Sequence, residues 1–132
     1  MFAPVRYIII VVFVFISTTV TVPAQANSIT LAWNPNDPAE QVRQYRLYYK
    51  IGYSGPPFNG TGLDQGDSPI IIRVNDLADE NNPTVVLSGL SPFATYRFVM
   101  TAFNGRESGY SNEASLAARA SAAGIYDLLL FR

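Results

Sequence analysis

The chain has 132 residues, 48% of them apolar, with 9 Lys and Arg against 10 Asp and Glu and a formal net charge of −1. It contains neither His nor Cys, which excludes an imidazole base, a histidine or cysteine metal ligand, a thiolate nucleophile and a disulfide framework. The length suits one ordinary domain, and the balanced charge offers no clustered basic surface for nucleic acid.

Apolar residues concentrate at the N-terminus. Arg6 precedes the unbroken run Tyr7-Ile8-Ile9-Ile10-Val11-Val12-Phe13-Val14-Phe15-Ile16, which gives way to Ser17-Thr18-Thr19 and then to Pro23-Ala24-Gln25-Ala26. A cation, an apolar stretch and an A-x-A pair in that order predict a secretory signal over residues 1–26, cleaved before Asn27. The alternative is a retained membrane anchor, but a helical run of that length covers only ~15 Å of a hydrocarbon core ~30 Å thick. Cleavage implies an exported protein with no stable membrane anchor, whether periplasmic, at the cell surface or extracellular.

Beyond Asn27 the pattern has a period of two. Ile29, Leu31 and Trp33 alternate with Thr30 and Ala32, predicting a strand that ends at Asn34-Pro35-Asn36-Asp37-Pro38. Tyr45, Leu47 and Tyr49 alternate with Arg46, Tyr48 and Lys50 in a second strand. Residues 52–69, with Gly52, Gly55, Gly60, Gly62 and Gly66 and three prolines, predict a long surface loop. Ile70-Ile71-Ile72-Arg73-Val74 is a short β-branched run, and Pro83 opens a strand through Val85 and Leu87. After Gly89-Leu90-Ser91-Pro92, Tyr96, Phe98, Met100 and Ala102 alternate with Arg97, Val99, Thr101 and Phe103. Asn104-Gly105 signals a hairpin, and a last strand is expected near residues 113–117. About six short strands separated by turns, with no helix between them, predict an all-β antiparallel sandwich.

Four features in order resemble the fibronectin type III domain: Trp33 in Leu31-Ala32-Trp33, Tyr45 in Tyr45-Arg46-Leu47-Tyr48-Tyr49, Leu90-Ser91-Pro92 with Tyr96, and Ser108-Gly109-Tyr110-Ser111-Asn112. The phrasing is similar to small exported bacterial members. The resemblance implies an immunoglobulin-like sandwich over residues 27–117, with Trp33 on strand B, Tyr45 on strand C, Tyr96 as a tyrosine corner opening strand F, and Glu113 on strand G. Leu90 and Pro92 shape the turn before Tyr96. The family's first strand has no counterpart after Asn27, so strand A is missing or replaced and the edge of strand B is open. The tail over residues 118–132 offers Ile125, Tyr126, Leu128, Leu129, Leu130 and Phe131 as a substitute edge element or a docking strand.

Arg46, Tyr48, Lys50, Arg97, Val99 and Phe103 are expected on one outward face, a candidate contact surface for a protein or a sugar, with Tyr53 and Phe58 in the long loop. The acids Asp64, Asp67, Asp76, Asp79 and Glu80 lie in loops and lack the spacing of a calcium loop or an opposed catalytic pair. Arg106-Glu107 is a polar hairpin tip. Asn59-Gly60-Thr61 matches a glycosylation acceptor only in a eukaryotic source. No catalytic residue, metal or cofactor is predicted. The expected function is a non-catalytic extracellular binding or spacer module for an unknown protein or cell-surface glycan. The alternatives are a structural subunit assembling through the open edge and apolar tail, and a polysaccharide-binding accessory module.

Overall fold

The computed structural model describes residues 4–5, 8–12 and 27–118. They contain seven strands: β1 (Ile8–Val12), β2 (Asn27–Trp33), β3 (Gln44–Ile51), β4 (Ile70–Arg73), β5 (Thr84–Leu90), β6 (Tyr96–Phe103) and β7 (Ala114–Leu116). Two antiparallel sheets, ordered β1-β2-β5 and β4-β3-β6-β7, form the predicted sandwich. Among the described residues no helix is long and apolar enough to cross a membrane.

Side-chain alternation builds the core. Ile29, Leu31 and Trp33 of β2 meet Tyr45, Leu47 and Tyr49 of β3 and Tyr96, Phe98, Met100 and Ala102 of β6, all buried. Each large side chain removed from water there stabilises the fold by ~1.5–3 kcal/mol before entropy is charged against it. On β5 the inward residues are Leu87 and Leu90, three apart instead of two. The ladder to β2 shifts register at this point, and Gly89 at φ +81° supplies the bulge that turns Leu90 back into the core.

The tyrosine corner is formed by geometry as well as sequence. Tyr96 is buried and its hydroxyl accepts from the Ser91 N–H at 2.8 Å, tying the β5–β6 turn to the start of β6. Tyr96→Phe leaves that N–H without its acceptor, and we expect a loss of about 1 kcal/mol in urea unfolding followed through the single tryptophan, Trp33.

Two regions differ from expectation. The edge of β2 is paired in the intact chain, because Ile8–Val12 runs antiparallel to it in the register Ile8↔Trp33 to Val12↔Ile29. Val5, just before this strand, is buried in the core. The open edge therefore belongs only to a chain that starts at Asn27. Secondly, the 52–69 loop is not confined to the surface, since Phe58 and Leu63 are buried and Leu63 joins the core cluster. The tail residues Ile125, Tyr126, Leu128, Leu129, Leu130 and Phe131 lie outside the described residues.

Candidate functional site

Because β3 and β6 pair in the register Arg46↔Thr101, Tyr48↔Val99 and Lys50↔Arg97, their outward residues form one continuous face. Phe103 stands opposite Gln44 at its upper end. The six residues expected to share a face, Arg46, Tyr48, Lys50, Arg97, Val99 and Phe103, are thus brought together. The structure also shows what covers them.

Glu107 stands at the centre of that cover. Its carboxylate accepts from Arg46 Nη1 at 3.0 Å, from the Tyr48 hydroxyl, and from Thr101 Oγ1 at 2.7 Å. Arg46 also lies over the Phe103 ring, 4.1 Å from its centroid. Val99, although outward, is only 3% exposed. Beside it Tyr48 and Phe58 each pack edge-on to Tyr110, with centroids 5.4 Å apart in both pairs.

A second carboxylate relieves the like charges of Lys50 and Arg97, which sit directly opposite each other. Glu113 lies 3.6 Å from Arg97 and accepts from Ser54 Oγ at 2.6 Å and the Gly55 N–H at 2.9 Å. Lys50 donates to the Gly55 carbonyl, and Arg97 Nε donates to the Gly52 carbonyl. The start of the long loop is thereby strapped to the face. Glu113 immediately precedes β7 instead of lying within it.

The Ser108-Gly109-Tyr110-Ser111 segment has its own physical reason. Ser108 Oγ accepts from the Ala102 N–H and Ser111 Oγ from the Met100 N–H, while their own N–H groups donate to the same two residues' carbonyls. These serines extend the β6 ladder where β7 is too short to reach.

Burial alone would raise the Glu107 pKa, but the bonds from Tyr48 and Thr101 and the Arg46 charge outweigh it and hold the carboxyl below the usual glutamate range. Glu113 is held low in the same way: burial is outweighed by Ser54, the Gly55 N–H, and the charges of Arg97 and Lys50. Tyr48 is pushed up to about 12, by burial first and then by its bond to Glu107. Neither carboxyl has the raised pKa that a general acid needs. Their contribution to stability is complete above the unfolded glutamate pKa of ~4.3 and drains away as pH falls through the lower folded values. Tyr48 has the opposite sign, contributing fully below ~10 and losing its contribution as pH rises through the folded value. We expect the urea midpoint to be flat between about pH 5 and 9 and to fall on both sides, with Glu107→Gln weakening both slopes.

The other acids serve their loops. Asp79 accepts from the Asn81 N–H and the Asn82 amide, and Asp64 accepts from Ser88 Oγ. Among the described residues no group of three His, Cys, Asp or Glu is placed to hold a metal ion. An open cleft of about 370 Å³ remains on the face, lined by Tyr48, Thr101, Glu107, Ser108, Gly109 and Tyr110.

Large apolar exposure lies elsewhere. Tyr53 is 91% and Phe93 72% exposed, and Ile51 is also open to solvent. The Gly52 N–H donates to the Thr95 carbonyl at 2.9 Å, so the end of β3 and the β5–β6 turn that carry these residues run side by side. Ala118 leaves at the same end, its N–H donating to Thr95 Oγ1 at 3.1 Å. The sequence placed Tyr53 in the loop but carried no signal that the turn with Phe93 would run beside that loop's start, since this follows from the Gly52–Thr95 bond. Trp33 and Tyr45 pack edge to face with ring centroids 5.2 Å apart, and both are buried, as is Leu90; Pro92 is half-buried in the turn.

A family model described as "Fibronectin type III domain" matches residues 17–116. Among curated proteins none matches the chain.

Proposed function

The chain belongs to the fibronectin type III family, whose members are non-catalytic β-sandwich modules, and from that premise we propose that it is an exported module that binds a protein partner through the end carrying Ile51, Tyr53 and Phe93. The exposure of Tyr53 and Phe93 on adjoining segments carries this reading. Two aromatic rings left in water on neighbouring segments form the kind of patch that interface centres use, because burying them against a partner recovers large apolar area at small entropic cost. Export is supported by the order of cation, apolar run and A-x-A pair in residues 1–26.

Site-specific photo-crosslinking on the exported protein tests this reading. A photoreactive residue at Tyr53 or at Phe93 should give the same discrete adduct on intact cells. One at Ile71, an exposed position on β4, should not. Identical patterns at all three positions, or no adduct at Tyr53 and Phe93, would overturn the proposal.

Two observations support other readings. The Tyr48–Glu107–Tyr110 cleft favours a sugar, with Tyr110 half open for stacking; binding on a glycan array that Tyr110→Ala abolishes would support it. The pairing of Ile8–Val12 with β2 and the burial of Val5 favour retention of the N-terminal segment as part of the domain. An intact mass that includes residues 1–26 in the working protein decides for that reading.

A further inference from the structure

Charge is segregated on this domain in a way that the net value of −1 conceals. The described residues hold six cations, and all six lie on or border the outer face of the β4-β3-β6-β7 sheet. Arg73 of β4, Arg46 and Lys50 of β3 and Arg97 of β6 occupy its outward positions. Arg43 and Arg106 border one end: the Arg43 guanidinium lies 5.8 Å from the Phe103 ring centroid, and Arg106 belongs to the hairpin that follows β6. Of the nine described acids only Glu107 and Glu113 share the face, and the other seven lie in connecting segments off it.

Those two acids are already committed. Glu107 pairs with Arg46, and Glu113 answers Arg97 and Lys50. Among the described residues Arg43, Arg73 and Arg106 form no ion pair. All three gather at the Phe103 end. Arg73 pairs across the ladder with Gln44, which stands opposite Phe103 on its other side, so Arg73 and Phe103 are two strand spacings or ~10 Å apart. Arg43 Nη2 lies 2.6 Å from the point where a Cβ on Gly105 would stand, so its guanidinium rests against the hairpin that carries Arg106. Like charges held within a Debye length repel, and an anion brought from outside relieves all three at once.

The open cleft starts beside them, since Thr101 is two residues from Phe103 on the same side of β6. Tyr110, 47% exposed, is held edge-on by Tyr48 and Phe58 and presents a fixed ring. Glu107 takes three donors, from Arg46, Tyr48 and Thr101, and a carboxylate accepts about four, which leaves room for one hydroxyl of a ligand.

We propose that the cleft and the three arginines form one binding site for an acidic sugar chain, a polyuronate. One ring stacks on Tyr110 and donates a hydroxyl to Glu107, while carboxylates along the chain meet Arg43, Arg73 and Arg106. This deepens the sugar reading of the cleft given above and rests on it. A phosphate polymer would carry charge past Glu107 as well, whereas a uronate presents hydroxyls to that carboxylate and its own charge to the arginines.

Calorimetric titration of the protein with hexagalacturonate, beside its fully methyl-esterified counterpart, tests the site. The acidic form should bind about tenfold more tightly than the neutral one, an advantage that added salt removes. Arg73→Ala with Arg106→Ala should weaken binding of the acidic form about tenfold. Thr84→Asp with Val86→Asp, which lowers the net charge equally at exposed positions on the other sheet, should leave it within about twofold. Tyr110→Ala should also weaken it about tenfold, and Tyr110→Phe, which keeps the ring, should bind like the native protein. Equal affinity for the two forms would overturn this inference and leave the sugar reading standing. Equal losses in the Arg73/Arg106 and Thr84/Val86 pairs would overturn it too, by reducing it to net charge. So would an oligonucleotide that binds more tightly than hexagalacturonate and is indifferent to Tyr110→Ala, which would assign the face to a phosphate polymer. No binding of either form would end it, with the glycan array deciding the sugar reading separately.

Discussion

Replacing Tyr49 by alanine should cost about 4 kcal/mol, a large share of what holds a domain of this size together. The side chain is completely buried toward the end of β3 and packs in the core. It also ties down the long loop: its hydroxyl donates to the Gly66 carbonyl at 2.7 Å and accepts from the Leu63 N–H at 3.3 Å. Tyr49→Phe separates the two roles. It keeps the ring and strips both loop groups of their partner, for an expected loss of about 1–2 kcal/mol. Urea unfolding followed through Trp33 gives both values, and the Phe variant should also raise amide exchange at Leu63.

Gly60→Ala should be nearly as damaging, at about 2–3 kcal/mol, although it adds a single methyl group to a loop. A Cβ at Gly60 would lie 2.6 Å from the Tyr49 ring and 2.8 Å from the Tyr49 carbonyl oxygen. The loop cannot retreat cheaply, because the Gly60 N–H donates to that same oxygen at 2.7 Å and the Gly60 carbonyl accepts from Ser68. Gly109→Ala is the control, with nothing within 4 Å of the added carbon, and should change the urea midpoint by less than about 0.5 kcal/mol in equivalent stability.

These two residues show where the sequence was readable and where it was not. Tyr49 announces its burial, since the alternation of Tyr45, Leu47 and Tyr49 with charged or polar neighbours needs no partner to be recognised. Gly60 announces nothing, because one glycine among five in the loop looks like any other until the chain folds back on Tyr49. Phe58 and Leu63 are hidden for the same reason: an isolated apolar residue in a Gly- and Pro-rich stretch has no period. The outward face was legible as a set, because two strands with opposite parity must align their outward residues. Its covering acids were not, since Glu107 reaches Arg46 and Tyr48 across some sixty positions of sequence. Ile8–Val12 is the most instructive case. An unbroken apolar run has no alternation, so it fits a leader's central region and an edge strand equally well, and only pairing with β2 reveals the second role.

That overlap makes the N-terminus of the recovered protein the decisive observation for the proposed export and binding role. The measurement is the intact mass of the protein recovered from outside the cytoplasm after expression of the whole chain with its own N-terminus. The expected product is a chain that begins at Asn27, without β1. Recovery of the full-length chain outside the cytoplasm, or its complete retention inside, would contradict export with cleavage.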